Sequence, residues 1–335
     1  MNLALTEVRR CAIYPAIVKT ACAVGLVSFF VGTVACRGTV ADPNGPVRIL
    51  RLATSNPGAS SYRIGAAFAR MLRSSNSHIQ LQLVDSIGSV QNIKTMDAGD
   101  VDIGFAYADV AYLAFSGGMA NPPLRHLRGI AVLQSSRIHL IVRKGSTIHS
   151  VSDLRGRRVN VGAIGSGSLE MARLVLQAFD VEPHTVTIDT APARQAAHRL
   201  LAGDLDALLI LATDPYDPIT VAMRGGSQLV PIQGVAVERL RESSPFVNLS
   251  SIPDQTYPGQ TERVHTISID TMLLCRSDLD EGIVYEITRA FFKALPSFVQ
   301  TEDSLRSVVL SRIDATPIPL HPGAQRYYRE RELSR

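Results

Sequence analysis

The sequence is poor in residues on which several classes of protein depend. It has no tryptophan, and only 6% of its 335 residues are aromatic, which disfavours a site that stacks on sugars or bases. It also has no Cys-x-x-Cys pair and no His-x-x-x-His spacing, so no metal centre is expected. The net charge is only +4. The one dense basic patch, at residues 155–158, has no aromatic neighbours, so we expect no nucleic-acid partner.

The motifs of the common nucleotide-dependent and hydrolytic enzymes are absent as well. No Gly-Lys-Ser/Thr run exists, and the glycines at positions 162, 165 and 167 follow G-x-x-G-x-G rather than the dinucleotide order G-x-G-x-x-G. The segment Gly165-Ser166-Gly167 lacks the spacing of a G-x-S-x-G nucleophile turn. The sequence therefore predicts a protein that is not an enzyme and needs no cofactor.

Residues 1–41 have the layout of a secretory signal. Basic residues precede an apolar run without charges at residues 21–35, and Cys36 follows this run. Three interpretations stay open: a lipobox that leaves a lipidated Cys36, cleavage by an ordinary signal peptidase after Ala41, or an uncleaved anchor helix. All three predict a periplasmic or extracytoplasmic protein. Beyond this segment the sole cysteine, Cys275, lies in an apolar run, which predicts a buried, inert thiol.

The rest of the chain alternates short apolar strands with helices. Strands predicted at 47–53, 79–84 and 101–106 are each followed by a small-residue loop and a helix, which is typical of parallel βαβ units. The block from 158 to 212 repeats this order, and the segments 98–102 (AGDVD) and 202–206 (AGDLD) correspond. Two similar α/β lobes are therefore predicted. The segment 231–262 shows no clear period and is predicted to be irregular.

Residues 158–174 form the most informative junction. A short strand, a Gly/Ser loop and a helix follow one another, and Ser166 or Ser168 can serve as the N-cap of the helix. Unpaired backbone N–H groups and the positive end of the helix dipole favour a carboxylate or phosphate there. The alternative is a tight turn that binds nothing. Similar hydroxyl-bearing loops at 54–62 and 85–92 end at the same edge of a parallel sheet, which favours a small polar or anionic ligand.

Four segments resemble the TAXI family of solute-binding proteins, the extracytoplasmic receptors of one branch of TRAP transporters. They are residues 88–93 (GSVQNI), 153–168 (DLRGRRVNVGAIGSGS), 257–260 (YPGQ) and 319–330 (PLHPGAQRYYRE). The resemblance runs from about residue 47 to residue 330. It implies a type II periplasmic-binding-protein-like fold, in which two α/β lobes are joined by two crossing strands with a ligand cleft between them. The implied boundaries are 42–137 plus 271–335 for lobe 1, 144–263 for lobe 2, and 138–143 and 264–270 for the hinge strands.

The resemblance also implies where a ligand would bind. By matched position the contacts are Ser60, Ser61, Tyr62, Ser89, Asn92, Tyr107, Asp109, Gly165, Ser166, Gly167 and Ser168, and Asp214 adds a carboxylate near the cleft. Structural alternatives remain for several of them: Ser166, Ser168 and Asp109 as helix caps, Asn92 as a polar residue of a helix turn, and Tyr62 and Tyr107 as cover for the core. Asp214 could repel anions or pair with a ligand amine. His321 is predicted to be a structural histidine far from the cleft.

The implied function is capture of a small organic anion or amino acid by lobe closure and its delivery to a TRAP-type membrane subunit. We expect a monomer. A sensor of the same fold, which would present its closed form to a signalling partner, is the main alternative. An enzyme that has borrowed the fold is a more distant one.

Overall fold

A computed structural model describes residues 46–333, apart from 58, 76, 120, 301–304, 306–307 and 309–315. The predicted signal or anchor at 1–41 and the candidate lipidation site Cys36 lie outside the described residues. Within the described part, no helix has both the length and the apolar character that a bilayer crossing requires.

Ten strands and nine helices are described, and their order confirms the predicted α/β class. The strands are β1 Arg48–Ala53, β2 Ile79–Val84, β3 Ile103–Tyr107, β4 Leu127–Val142, β5 Arg158–Asn160, β6 Thr187–Asp189, β7 Ala207–Ala212, β8 Gln228–Val230, β9 Val247–Ile252 and β10 Val264–Arg276. The helices are α1 Ser60–Ser74, α2 Ser89–Asp97, α3 Ala108–Ser116, α4 Gly167–Ala178, α5 Ala193–Ala202, α6 Asp217–Arg224, α7 Val235–Ser243, α8 Glu281–Val299 and α9 Pro322–Leu333.

The sheet consists of two parallel groups joined by two long antiparallel strands. Its order is β2-β1-β3-β10-β4-β7-β5-β6, with β8 added to β4 and β9 added to β10. Strands β2, β1 and β3 run parallel to one another, as do β6, β5 and β7. We call β1–β3 with α1–α3 the first half and β5–β7 with α4–α6 the second half. Each half is a βαβ arrangement, as the repeated sequence pattern predicts.

Strands β4 and β10 lie side by side between the two halves and connect them. Up to Arg137, β4 pairs with β10, and from Arg137 to Val142 it pairs with β7. Likewise β10 pairs with β9 over 264–269 and with β3 over 271–275. The strand predicted at 138–143 therefore begins eleven residues earlier, at Leu127. Polar residues at 134–137 interrupt the apolar pattern of β4, which is why the sequence did not reveal the longer strand. The lobe and hinge boundaries themselves stay a prediction.

An equivalent ion pair in each half supports the internal repeat. In the first half, Asp102 accepts hydrogen bonds from the backbone N–H and the guanidinium of Arg51, and Arg51 also donates to the Gly99 carbonyl at 2.7 Å. In the second half, Asp206, Arg158 and Gly203 repeat each of these bonds, the last again at 2.7 Å. The two Gly-Asp segments thus attach a helix end to the neighbouring strand in the same way in both halves.

The segment 231–262, predicted to be irregular, contains α7 and β9. Strand β9 lies on the outside of β10, and its central residue Leu249 is 53% exposed. Because three of its six side chains are polar and only its two end residues are buried, it has neither the apolar run of a buried strand nor a clear alternation. This prediction was wrong for that physical reason.

The C-terminal motif is structural. His321 is buried; its Nε2–H donates to the Leu279 carbonyl at 3.1 Å, and its Nδ1 accepts the Gly323 N–H at 3.2 Å. The Tyr328 hydroxyl donates to the Ile130 carbonyl of β4 at 3.0 Å. The motif therefore fixes α9 against α8 and β4, and the prediction of a structural His321 is confirmed. Cys275 is fully buried in β10, and burial raises the pKa of its thiol, which confirms an inert cysteine.

Candidate functional site

The Gly/Ser turn before α4 in the second half meets the turn before α2 in the first half. A Cβ atom placed on Gly165 would lie 2.7 Å from Cδ1 of Ile87, and one placed on Gly88 would lie 3.6 Å from Cα of Ser166. A Cβ atom on Gly167 would overlap the Tyr107 ring. The helix N-termini that the sequence singles out therefore face one another, and in this structure they are in contact. At Gly167 the Tyr107 ring leaves no room for a side chain, and Gly88 and Gly165 have φ angles of 134° and 84°, which favour glycine.

The serine hydroxyls at this contact have structural partners. Ser166 is the N-cap of α4: its Oγ accepts the Leu169 N–H at 3.3 Å and donates to the Ala163 carbonyl at 2.6 Å. Ser168 accepts the Leu211 N–H of β7 at 3.0 Å. Ser89 accepts the Tyr107 N–H at 3.0 Å. The prediction that Ser166 caps its helix is confirmed, whereas ligand contact by these serines stays a prediction.

Asn92 joins two strands of the first half. Its Nδ2 donates to the Thr54 carbonyl after β1 and to the Phe105 carbonyl of β3, both at 2.7 Å. The residue is 1% exposed, and its Oδ1 has no partner among the described residues. Both amide protons are therefore used in hydrogen bonds within the first half, and only the oxygen remains to accept a hydrogen bond from a ligand.

The α1 N-terminus provides a second group of hydroxyls. Ser61 and Ser55 are 2.6 Å apart between their Oγ atoms, and Ser60 accepts a hydrogen bond of 3.1 Å from Nε2 of Gln134 on β4. Ser60, Ser61 and Tyr62 are half-buried. Gln134 is 1% exposed, and its Oε1 has no partner among the described residues. Gln134 was not predicted from the sequence. It is a polar residue within a strand, and the strand pattern does not show that its side chain contacts the start of α1.

Tyr107 and Asp109 stand at the start of α3. The Tyr107 ring covers Gly167, and its hydroxyl bonds to Ser136. Burial raises the pKa of that hydroxyl to about 12. Asp109 is fully buried, and its carboxyl oxygens have no hydrogen-bond partner among the described residues. The N-cap position of α3 is Tyr107, so the interpretation of Asp109 as the cap is wrong: it lies two residues too late in the chain.

Asp214 pairs with a cation of the crossing strand. Its Oδ1 lies 2.6 Å from Nη1 of Arg137, whose Nε donates to Ser250 at 3.0 Å. The Asp214 side chain is 6% exposed and that of Arg137 27%. Beside them, the hydroxyls of Ser136 and Thr213 are 2.9 Å apart. Arg137 lies where β4 passes between the halves, a placement that only the strand pairing reveals.

A buried chain of hydrogen bonds lies behind this ion pair. The Tyr216 N–H donates to the Tyr257 hydroxyl at 3.2 Å, which lies 3.0 Å from Nε2 of His139, and His139 Nδ1–H donates to the Arg137 carbonyl at 2.9 Å. Burial lowers the pKa of His139 to about 4, so the imidazole is neutral at physiological pH. Its Nε2 then accepts a hydrogen bond from the Tyr257 hydroxyl. Gln260 holds this tyrosine segment by accepting the Tyr257 N–H at 3.2 Å. The YPGQ motif therefore supports the crossing strand.

We expect Tyr257→Phe to lower the free energy of unfolding by about 1–2 kcal/mol, because it leaves the buried Nε2 of His139 without its donor. Urea unfolding measures this loss. Tyr285→Phe is the matched control, since the Tyr285 hydroxyl bonds to Glu330 at the surface and its removal should cost less than 1 kcal/mol. An equal loss in both variants would contradict the assignment.

Solved structures of periplasmic binding proteins share this fold. MatC (Rpa3494) from Rhodopseudomonas palustris, solved with bound malate, has 15% identity and a TM-score of 0.54, and the match covers 87% of this chain and 98% of MatC. The periplasmic binding protein BugD has 13% identity and a TM-score of 0.51, with 87% of this chain and 96% of BugD covered. At such identities the likeness concerns the fold, which confirms the predicted periplasmic-binding-protein-like architecture of two lobes.

The family is shown by a match of the sequence itself. The model of the NMT1-like family matches residues 52–331. This span contains the end of β1, strands β2 to β10 and every candidate ligand contact named above. The narrower TAXI assignment stays a prediction. Because the match covers most of the chain, this protein belongs to the NMT1-like family.

Proposed function

We propose that this protein is an extracytoplasmic solute-binding receptor that closes its two lobes around a small organic anion or amino acid. The observation that carries the proposal is the apposition of the two helix-start turns, with Gly167 of the second half against Tyr107 of the first. A turn that served one half alone would not need glycines that fit the surface of the other half. The contact is therefore a closed state of two bodies that can separate, as in hinge closure around ligands.

The chemistry around the contact favours a ligand that carries both charge and hydrogen-bonding groups. Backbone N–H groups at the start of α1 and α4 favour a carboxylate, and Arg137 supplies a cation whose side chain is 27% exposed. The buried amide oxygens of Asn92 and Gln134 can accept hydrogen bonds from the ligand. Ligand contacts at Ser60, Ser61, Tyr62 and Asp214 belong to this proposal. No reaction is assigned to this set of residues.

Delivery to a membrane subunit is the second part of the proposal. The TAXI resemblance favours a TRAP-type transporter as the acceptor of the closed receptor, and the signal-like segment at 1–41 favours a place outside the inner membrane. MatC, a protein of the same fold, was solved with malate, and this makes dicarboxylates reasonable first probes. A monomer that binds one ligand per chain fits this function.

A thermal-shift screen tests the receptor function. The purified protein is heated with amino acids and with mono- and dicarboxylates, including malate, each at millimolar concentration. A bound acid at 100 times its Kd should stabilise the folded state by about 2.7 kcal/mol and raise Tm by several degrees. Calorimetric titration then checks that one molecule binds per chain. If no compound of these classes shifts Tm, the proposed ligand class is wrong.

A further inference from the structure

The carboxyl group of Asp109 lies at the contact between the two halves without a partner. Asp109 is fully buried, and neither of its oxygens has a hydrogen-bond partner among the described residues. It belongs to the first turn of α3, next to Tyr107, which covers Gly167 of the second half. An ionised carboxylate held away from water without a partner costs several kcal/mol. The arrangement therefore favours the neutral form of this group.

Helix α3 is the element of the first half that packs on the second half. It lies against α4, and its Tyr112 ring lies 5.5 Å from the ring of Phe246, which precedes β9. Glu170, in the first turn of α4, faces Asp109 closely enough for its negative charge to act on it. Separation of the halves would remove Glu170 and admit water to the start of α3.

Among the residues that the structure describes, no cation on the elements around Asp109 pairs with its carboxyl group. Helix α3 packs on β3, β10, α2 and α4. The titratable or charged groups of these neighbours are Tyr107 on β3, His265, Asp270 and Arg276 on β10, Lys94 and Asp97 at the end of α2, and Glu170 and Arg173 on α4. Of these, Arg173 pairs with Glu170 at 3.4 Å and Asp97 with His126 at 3.2 Å. Asp270 accepts a hydrogen bond from Ser135 at 2.5 Å.

We propose that closure of the two lobes takes up one proton on Asp109, so that this receptor closes more readily in mildly acidic medium. The inference rests on the proposed lobe closure and adds a regulation to it. Burial, with a further contribution from Glu170, raises the pKa of Asp109 to about 7 in the closed form. The Val110 and Asp109 N–H groups lie close enough to act in the opposite direction, but neither makes a hydrogen bond to the carboxyl. In an open, hydrated form the pKa returns to about 3.9.

The difference between these two pKa values sets the direction of the pH dependence of closure. The closed form binds the proton more tightly, so its population relative to the open form rises as the pH falls from about 7 towards 4. Within this window the closed-to-open ratio changes by up to about tenfold per pH unit, and above pH 7 it is flat. The pH is kept above 5, because His139 has a pKa of about 4 and remains neutral there.

The test measures the distance between the two halves of the ligand-free, full-length protein from pH 5 to pH 8.5. Spin labels on unnatural amino acids replace Arg73 on α1 and His198 on α5, both exposed, and pulsed electron resonance gives the distance distribution. We expect the short-distance population to grow as the pH falls below about 7. Asp109→Asn, which resembles the protonated acid, should show one pH-independent distribution. Asp100→Asn, at an exposed carboxylate of the same half, should behave like the parent protein.

Glu170→Gln provides a second variant, outside the buried position. It removes the charge that opposes ionisation of Asp109, so the midpoint should move to lower pH. A distance that does not depend on pH in the parent protein, an Asp109→Asn variant that keeps the pH dependence, or an unmoved midpoint in Glu170→Gln would each overturn the inference. If the ligand screen fails while Asp109 still controls the distance, the receptor function is lost and this inference stands. If an acid binds but the distance does not depend on Asp109, the receptor function stands and only this inference is lost.

Discussion

The substitution Gly323→Ala is expected to lower the free energy of unfolding by about 3 kcal/mol, the upper end of the usual cost of overpacking. A Cβ atom at this position would lie 2.7 Å from the Tyr285 backbone nitrogen and closer still to the Glu281 carbonyl oxygen of α8. Backbone atoms cannot rotate out of the way, so α9 must move away from α8. The preference of helices for alanine over glycine, about 1 kcal/mol, acts in the opposite direction and is smaller.

Urea unfolding with a far-ultraviolet signal measures this loss. Gly282→Ala is a matched control in the same region, because the nearest atom to its Cβ is a side-chain oxygen of Asp280 at 3.1 Å, which can shift by a few tenths of an ångström. We expect this control to change the stability by less than 1 kcal/mol. Equal stability of the two variants would show that α9 is not held against α8 as described.

The substitution Gly167→Ala is expected to reduce ligand-induced stabilisation strongly while leaving the fold of each half intact. Its Cβ atom would overlap the Tyr107 ring only while the halves are together. An overpacking cost of about 1–3 kcal/mol that falls on the closed form alone reduces its population about 5- to 150-fold. The apparent affinity for a ligand that binds the closed form falls by the same factor.

The readout is the Tm shift caused by the acid that gives the largest shift in the screen. Gly118→Ala is the control: it places a methyl group near the flexible end of Leu113, at the far end of α3. The double variant Gly167→Ala, Tyr107→Leu should recover part of the shift, because it removes the ring that the methyl group meets. A full Tm shift in Gly167→Ala would refute the closed contact as the binding state.

The strongest sequence signals turned out to report packing. The C-terminal motif fixes α9 through His321 and Gly323, and the YPGQ motif supports β4 through Tyr257 and Gln260. Long, specific motifs mark places where many contacts must be kept at once, and in these two segments the contacts are those of the fold. The resemblance therefore predicted the periplasmic-binding-protein-like fold correctly, while the roles of individual motif residues followed only from their partners.

The candidate site was predicted in part. The helix starts were placed to within about two residues because Gly, Ser and Asn are favoured at loops and caps for local reasons. Ser166 caps α4, and its contact with a ligand stays a prediction. Gln134, Ser136 and Arg137 were missed because they lie inside a strand, where a polar residue has no local signature of its neighbours. Asp109 was assigned to a cap from local spacing, whereas its burial comes from the surrounding helices.

The sequence by itself determined the α/β class, the repeat of a βαβ unit and the positions of the Gly/Ser turns, because these depend on local periodicity and backbone preference. Only the tertiary structure decided that β4 begins at Leu127 and pairs with both β10 and β7, that Asp214 pairs with Arg137, and that Gly167 lies against Tyr107. The ion pair joins residues that are 77 positions apart in the chain, and the glycine contact joins residues that are 60 positions apart. Contacts over such separations arise from strand order, which local preferences do not encode.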